Sequence, residues 1–238
     1  SLIDGHPEVS TMPSIYFSEF FKHSNWEKII TGGWTEMANR FIETYEVLFD
    51  ASARKSIETQ GQKFIDYMGQ KEGMANVGDS RDEVLRVDKS LFREELRRLM
   101  DLHDHLDAYV FFKLVHLAYD KALKVGNLKN LIFYHIHNPS NYAKLNFVQA
   151  APNANWVMMV REPIQACESW VRSSFHNNEI HNNEYSNILT KIITMLFEID
   201  NIIYEKQNSI GVRLEDLKES PQKTIPALCD WMGIEETE

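Results

Sequence analysis

The run Trp156-Val-Met-Met-Val-Arg161-Glu-Pro163 constrains the fold of this chain more than any other stretch. Five apolar, β-prone residues end in an arginine, and a proline stands two positions further on. A short apolar run bounded in this way fits a buried strand. The proline fits the first position of a helix, because its fixed φ is already helical and its missing N–H has no partner to lose there. The segment therefore predicts a strand that turns directly into a helix. A cation beside a helix N-terminus suits an anion, since free backbone N–H groups and the helix dipole add to its charge. Ser169 stands eight positions after Arg161 and seven after Glu162. Seven residues are nearly two turns, so its hydroxyl returns to the face where the helix began. The pair is placed to hold a phosphate at the carboxyl edge of a sheet, where open α/β folds bind ligands. The same residues also fit a structural turn in which Arg161 pairs with a carboxylate.

The stretches around this turn repeat its logic. Leu131–His137 reads as a buried strand, Asn138-Pro139 breaks it, and Ser140 is placed to cap a short helix through Ala150. With Trp156–Val160 as the next strand and Pro163–Phe175 as the next helix, the order is βαβα. That order implies parallel strands joined by a right-handed crossover. Beyond an apolar helix at 187–205, Ile210–Leu214 reads as a further strand. Ser220-Pro221 opens a last helix that Gly233 closes, with Pro226 expected to bend it or delay its start. Ahead of these elements, Ser1–Pro7 looks like the last turn of a helix, closed by Gly5 and Pro7. Residues 14–50 read as helical and aromatic-rich, and 52–80 as a helix followed by a loop from Gly69 to Gly78. Leu91, Phe92, Leu96, Leu99 and Met100 form one helical stripe, and Val110–Leu123 forms another. The block from about 25 to 125 is thus expected to be mostly helical, with its aromatics mainly in a core.

Charge and cysteine usage narrow the function. The 238 residues carry a formal charge of −10, which disfavours nucleic acid and anionic membranes as partners. An anionic ligand then requires a local cationic pocket. The two cysteines, Cys167 and Cys229, lie in apolar helical patterns and read as small buried hydrophobes. Lys191, Glu198 and Asp200 interrupt the apolar run Ile188–Tyr204, which favours a buried helix over a membrane span. With no signal peptide in the sequence, a cytoplasmic location is expected.

Several residues are candidates for chemistry. His135 and His137 flank Ile136 and so share one face of their strand, at the carboxyl edge where Asn138-Pro139 ends it. Either imidazole suits proton abstraction near neutrality, and either also fits a structural role. His135, deeper in the strand, fits a core histidine better. Glu215-Asp216 after the strand reads as an acidic turn leading into a helix, with Arg213 a partner for either carboxylate. His103 and His105 with Asp101, Asp104 and Asp107 resemble a metal cluster in composition, but their spacing matches no zinc signature, and a solvated helix end is expected. Arg172 either reaches the same phosphate as Ser169 or faces solvent.

Three separated segments together resemble the sulfotransferase family, whose members use 3′-phosphoadenosine 5′-phosphosulfate (PAPS). Leu2-Ile-Asp-Gly-His-Pro-Glu-Val9 is similar to the helix end that follows the family's 5′-phosphosulfate loop. Trp156–Pro163 with Ala166-Cys-Glu-Ser-Trp170 is similar to its 3′-phosphate motif, and Val212-Arg-Leu-Glu-Asp-Leu217 with Leu228–Gly233 to its Arg-Tyr-Glu-Asp-Leu strand and closing helix. The resemblance implies that Arg161 and Ser169 bind the 3′-phosphate. Many members carry Lys-Thr-His-Leu-Pro at the histidine-bearing strand end, which implies His137 as the base. His135 stands where the lysine would be. The phosphosulfate loop itself would precede Ser1, and Glu162 replaces the commoner aspartate.

The expected fold is α/β, a P-loop-type parallel sheet flanked by helices in one domain over 1–238, with a large helical insertion at about 25–125 forming an acceptor pocket or lid. The expected activity is sulfuryl transfer from PAPS to a hydroxyl or amine acceptor, with no metal. The alternatives are a nucleotide-binding scaffold that kept the fold without catalysis, and a P-loop kinase.

Overall fold

The computed structural model of the chain describes residues 3, 5–59, 62–67, 74–78, 80–124, 129–136, 141–176, 186, 189–190, 192–193 and 208–236. These fall into two compact units, Ser1–Pro152 and Asn153–Glu238. Helices and short strands mix in both units, and the strands pair as two parallel ladders and one antiparallel hairpin.

In the first unit, β1 (Val9–Thr11) leads through α1 (Ser14–Phe17), α2 (His23–Ile30), α3 (Met37–Thr44) and α4 (Glu46–Phe49). The expected helical stretch at 14–50 is therefore broken into short pieces. Gly32 and Gly33, both with positive φ, make one of the breaks, where a side chain would be strained. Gly5 also has a left-handed φ of 85°, and the His6 N–H closes a turn on the Ile3 carbonyl, while Ser1, Leu2 and Asp4 of the expected helix end lie outside the described residues.

The expectation for 52–80 is corrected. Residues expected to form a helix instead form an antiparallel hairpin, β2 (Arg54–Thr59) and β3 (Gln62–Tyr67), with Arg54 opposite Tyr67 and Thr59 opposite Gln62. Ile57 and Phe64–Ile65 supply β-prone side chains, and only two residues, Gln60-Gly61, separate the strands, which suits a hairpin better than a helix. The part of the expected loop at 69–73 lies outside the described residues.

Two long helices follow, α5 (Lys89–Met100) and α6 (Ala108–Ala122). Each is started by a carboxylate. Asp88 accepts from the N–H groups of Ser90 and Leu91, and Asp107 from that of Val110. The α5 stripe buries Phe92, Leu96 and Met100, at i, i+4 and i+8. The α6 stripe buries Phe111, Val115, Ala118 and Tyr119 among others. The aromatics at helical spacing are core, as expected. Phe17, Phe20, Phe41, Phe49, Phe92 and Phe111 are at most 1% exposed. Their rings meet at 4.7–6.5 Å in tilted, edge-on and stacked pairs, distances at which aromatic pairs attract.

β4 (Leu131–Phe133) runs parallel to β1, with Val9 opposite Leu131 and Thr11 opposite Phe133. It is half-buried and shorter than the strand expected over 131–137. Tyr134 then turns its hydroxyl to the carbonyls of Phe17 and Ser18, at 3.1 and 2.9 Å. α7 (Asn141–Ala150) covers the expected short helix. Asn138, Pro139 and Ser140 lie outside the described residues.

The second unit contains β5 (Trp156–Val160), α8 (Pro163–His176), β6 (Ser209–Arg213), α9 (Leu214–Glu219) and α10 (Pro221–Met232). β5 and β6 are parallel, with Trp156 opposite Ser209 and Val160 opposite Arg213. Asn208 ties their entry points, since its carbonyl accepts from the Trp156 N–H at 2.8 Å and its side chain donates to the Ala154 carbonyl. α10 starts at Pro221 and ends at Gly233, whose φ of 70° is left-handed. Pro226 sits inside it without delaying its start, at the loss of one backbone hydrogen bond. Cys229 is buried, Cys167 is only half-buried, and both are free thiols. Most of the apolar segment 187–205 lies outside the described residues. Among the described residues no helix is long and apolar enough to cross a membrane.

Candidate functional site

The parallel register of β5 and β6 sets the geometry of the Arg161 turn. It brings Val160 level with Arg213, so both strands end at one edge and their next residues leave it together. Arg161 and Glu162 follow on one side, and Leu214 and Glu215 on the other. α8 then begins at Pro163, as the sequence predicts. Arg161 is exposed and, among the described residues, has no ion pair or hydrogen bond of its own. Ser169 is half-buried in α8, six residues beyond Pro163 and so about 9 Å further along the axis.

The backbone amides at this helix start are largely occupied, which corrects one element of the expected anion site. Glu162 Oε2 accepts from the Gln165 N–H at 2.6 Å, serving as the helix cap. The Glu162 N–H donates to Glu215 Oε1 at 3.2 Å. Pro163 has no N–H to give. Two carboxylates thus take two of the backbone donors that an anion could use, and they also engage the positive end of the helix dipole. Any phosphate held here depends on the side chains of Arg161 and Ser169.

Glu215 carries more than its place in an acidic turn suggests. Glu215 and Asp216 lie in the first turn of α9, as an acidic turn entering a helix should. Arg213 stands between them, with Nε 4.0 Å from Glu215 Oε2 and Nη1 3.9 Å from Asp216 Oδ1. Glu215 Oε2 is buried and receives no hydrogen bond, so Arg213 compensates it through charge alone. Hydrogen bonds from its own backbone N–H and from that of Glu162 hold the Glu215 carboxyl below the usual carboxylate range, and the Arg213 and Arg161 cations add to this. A turn-spanning contact between residues 53 apart leaves no local signal in the sequence.

The remaining candidates divide. His137 lies outside the described residues. His135 is exposed beyond the end of β4 rather than buried within a strand, so the core-histidine reading is corrected. Arg172 pairs with Glu168 at 2.6 Å on an exposed face of α8, which selects the solvent-facing alternative. His103, Asp104 and His105 are exposed in the connection after α5, and Asp107 caps α6. A histidine that no motif singles out, His116, is fully buried. It lies in the aromatic core of the first unit with Nδ1 2.9 Å from the Phe112 carbonyl. At 1% exposure it is closed off from any ligand, so its role is structural.

A family model described as "Sulfotransferase family" matches residues 14–238. No curated protein and no solved structure matches the chain.

Proposed function

The chain belongs to the sulfotransferase family, and on that premise we propose that it transfers a sulfuryl group from PAPS to a hydroxyl or amine acceptor within a P-loop-type α/β domain. Arg161 and Ser169 anchor the donor through its 3′-phosphate. The acceptor oxygen or nitrogen attacks sulfur, the bond from sulfur to the 5′-phosphate oxygen breaks, and adenosine 3′,5′-bisphosphate leaves. His137 takes the proton the acceptor releases. Such transfer depends on positioning and on stabilising the charge of the leaving oxygens, and the residues named require no metal.

The observation that carries this reading is Arg161 itself. It is an exposed guanidinium without an ion pair among the described residues, fixed at the carboxyl edge of a parallel strand pair. A guanidinium at such an edge matches a phosphate in charge and in paired hydrogen-bond geometry. Calorimetric titration of adenosine 3′,5′-bisphosphate and adenosine 5′-monophosphate tests it. The bisphosphate binds more tightly, and Arg161→Ala reduces it to the level of the monophosphate, a loss of about tenfold or more, in line with a charged hydrogen bond worth ~1.5–3 kcal/mol. Equal binding of the two nucleotides by the native protein would refute the assignment. Stronger, magnesium-dependent binding of ATP would favour the kinase reading instead.

A further inference from the structure

We infer that Glu215 is a positioning residue for donor recognition, one whose carboxylate fixes the Arg161 turn without itself touching the nucleotide. The inference rests on the reading of Arg161 as the 3′-phosphate anchor. Arg161 and Glu162 form a two-residue link between strand and helix, and such a link has several ways to leave a strand. Here it is held from both directions. The Val160–Arg213 pairing fixes the strand side. On the helix side, the Glu162 carboxylate caps the Gln165 N–H at 2.6 Å, and Glu215 Oε1 accepts the Glu162 N–H at 3.2 Å. Without Glu215, the Glu162 N–H loses its partner between two fixed elements, and the residue beside Arg161 becomes free to rotate.

Two opposed effects act on the anion, and their signs separate them. As a negative charge near Arg161, Glu215 weakens phosphate binding. As an acceptor that orders the turn, it strengthens binding by sparing the cost of fixing the guanidinium when the ligand arrives. The charge effect is small because the Arg161 guanidinium itself is exposed, and water and salt screen it there. The ordering effect dominates, and it depends on reach and on an acceptor oxygen rather than on charge. Glutamine supplies both. Aspartate keeps the charge but is one methylene short.

Calorimetric titration of the same two nucleotides tests this on Glu215→Ala, Glu215→Gln and Glu215→Asp, with thermal unfolding to show that each variant is folded. The alanine and aspartate variants lose about tenfold of the preference for adenosine 3′,5′-bisphosphate over adenosine 5′-monophosphate, while the glutamine variant stays within about threefold of the native protein. Binding of the monophosphate changes little in all three. If the alanine variant does not fold, the aspartate variant decides the matter by itself. Native preference in the aspartate variant, a glutamine variant as weak as alanine, or equal losses for both nucleotides would each overturn the positioning role. If Arg161→Ala abolishes the preference while all the Glu215 variants keep it, this inference alone fails. If the native protein shows no preference, the reading of Arg161 fails with it.

Discussion

Replacing His116 by leucine should remove an acid-sensitive contribution to stability that the native protein carries between about pH 6.5 and pH 4. His116 is 1% exposed in α6, with the Phe112 ring 4.5 Å away and the Phe17 ring 5.6 Å away. Its Nδ1 faces the Phe112 carbonyl at 2.9 Å, and its Nε2 is buried without a hydrogen bond. Burial pushes the imidazole down from 6.5 to about 4; the Phe112 carbonyl opposes this and the Lys129 cation adds to it. Near neutral pH the folded and unfolded chains both hold the ring uncharged, and its contribution is complete. As the pH falls below 6.5, the unfolded chain binds a proton that the folded chain excludes until about pH 4. Each pH unit in that window costs about 1.4 kcal/mol, so the loss reaches about 3 kcal/mol near pH 4. That is a large share of an ordinary domain's stability. The carboxylates held low in the fold, Asp50, Asp88, Glu95 and Glu215, lose their contributions at lower pH. The window above about pH 5.5 is therefore largely free of their contribution. Urea unfolding followed by circular dichroism, at closely spaced pH values, gives the two stability curves. Leucine is of similar volume, and its variant should show a curve flatter by about 1 kcal/mol per pH unit below pH 6. Parallel curves would show that His116 ionises without opposition, and the burial argument would be wrong.

Two other perturbations follow from the first unit. Lys129 and Asp120 pair at 3.2 Å, with side chains only 10% and 11% exposed. Lys129→Met strands a buried carboxylate and should cost about 3–5 kcal/mol in urea unfolding, whereas Lys129→Met combined with Asp120→Asn should recover more than half of that loss. Asp107→Ala removes the side-chain acceptor of the Val110 N–H and should lower stability by about 1 kcal/mol, with Asp107→Asn or Asp107→Ser restoring most of it.

Much of this fold is legible where local signals agree. α5 and α6 follow from apolar residues at helical spacing, and the second unit follows from punctuation by Pro163, Pro221 and Gly233. β1 is illegible because a three-residue strand is too short to show a period, and what defines it is a pairing with Leu131–Phe133 over 120 residues away in sequence. The hairpin at 54–67 reads as helix because its charged residues, Arg54, Lys55, Glu58, Lys63 and Asp66, suit an exposed helix as well as a strand. The broken helices at 14–50 turn on Gly32-Gly33, a plain signal that the aromatic pattern obscures.

The Arg161 turn shows why residues of one candidate site differ in legibility. Arg161, Pro163 and Ser169 act through spacing along one strand and one helix, and spacing is written in the sequence. Glu215 acts through the parallel register that makes Val160 level with Arg213, and register belongs to the fold. That same register determines what kind of anion site is possible. With the Glu162 N–H given to Glu215, the Gln165 N–H given to Glu162 and no N–H on Pro163, little of the helix terminus is left to attract an anion. The chain's formal charge of −10 adds no long-range attraction. On the proposed reading, phosphate recognition rests on the Arg161 guanidinium with the Ser169 hydroxyl, so Arg161→Ala should remove most of it and salt should weaken it. A site built on helix amides would survive the loss of its arginine in part.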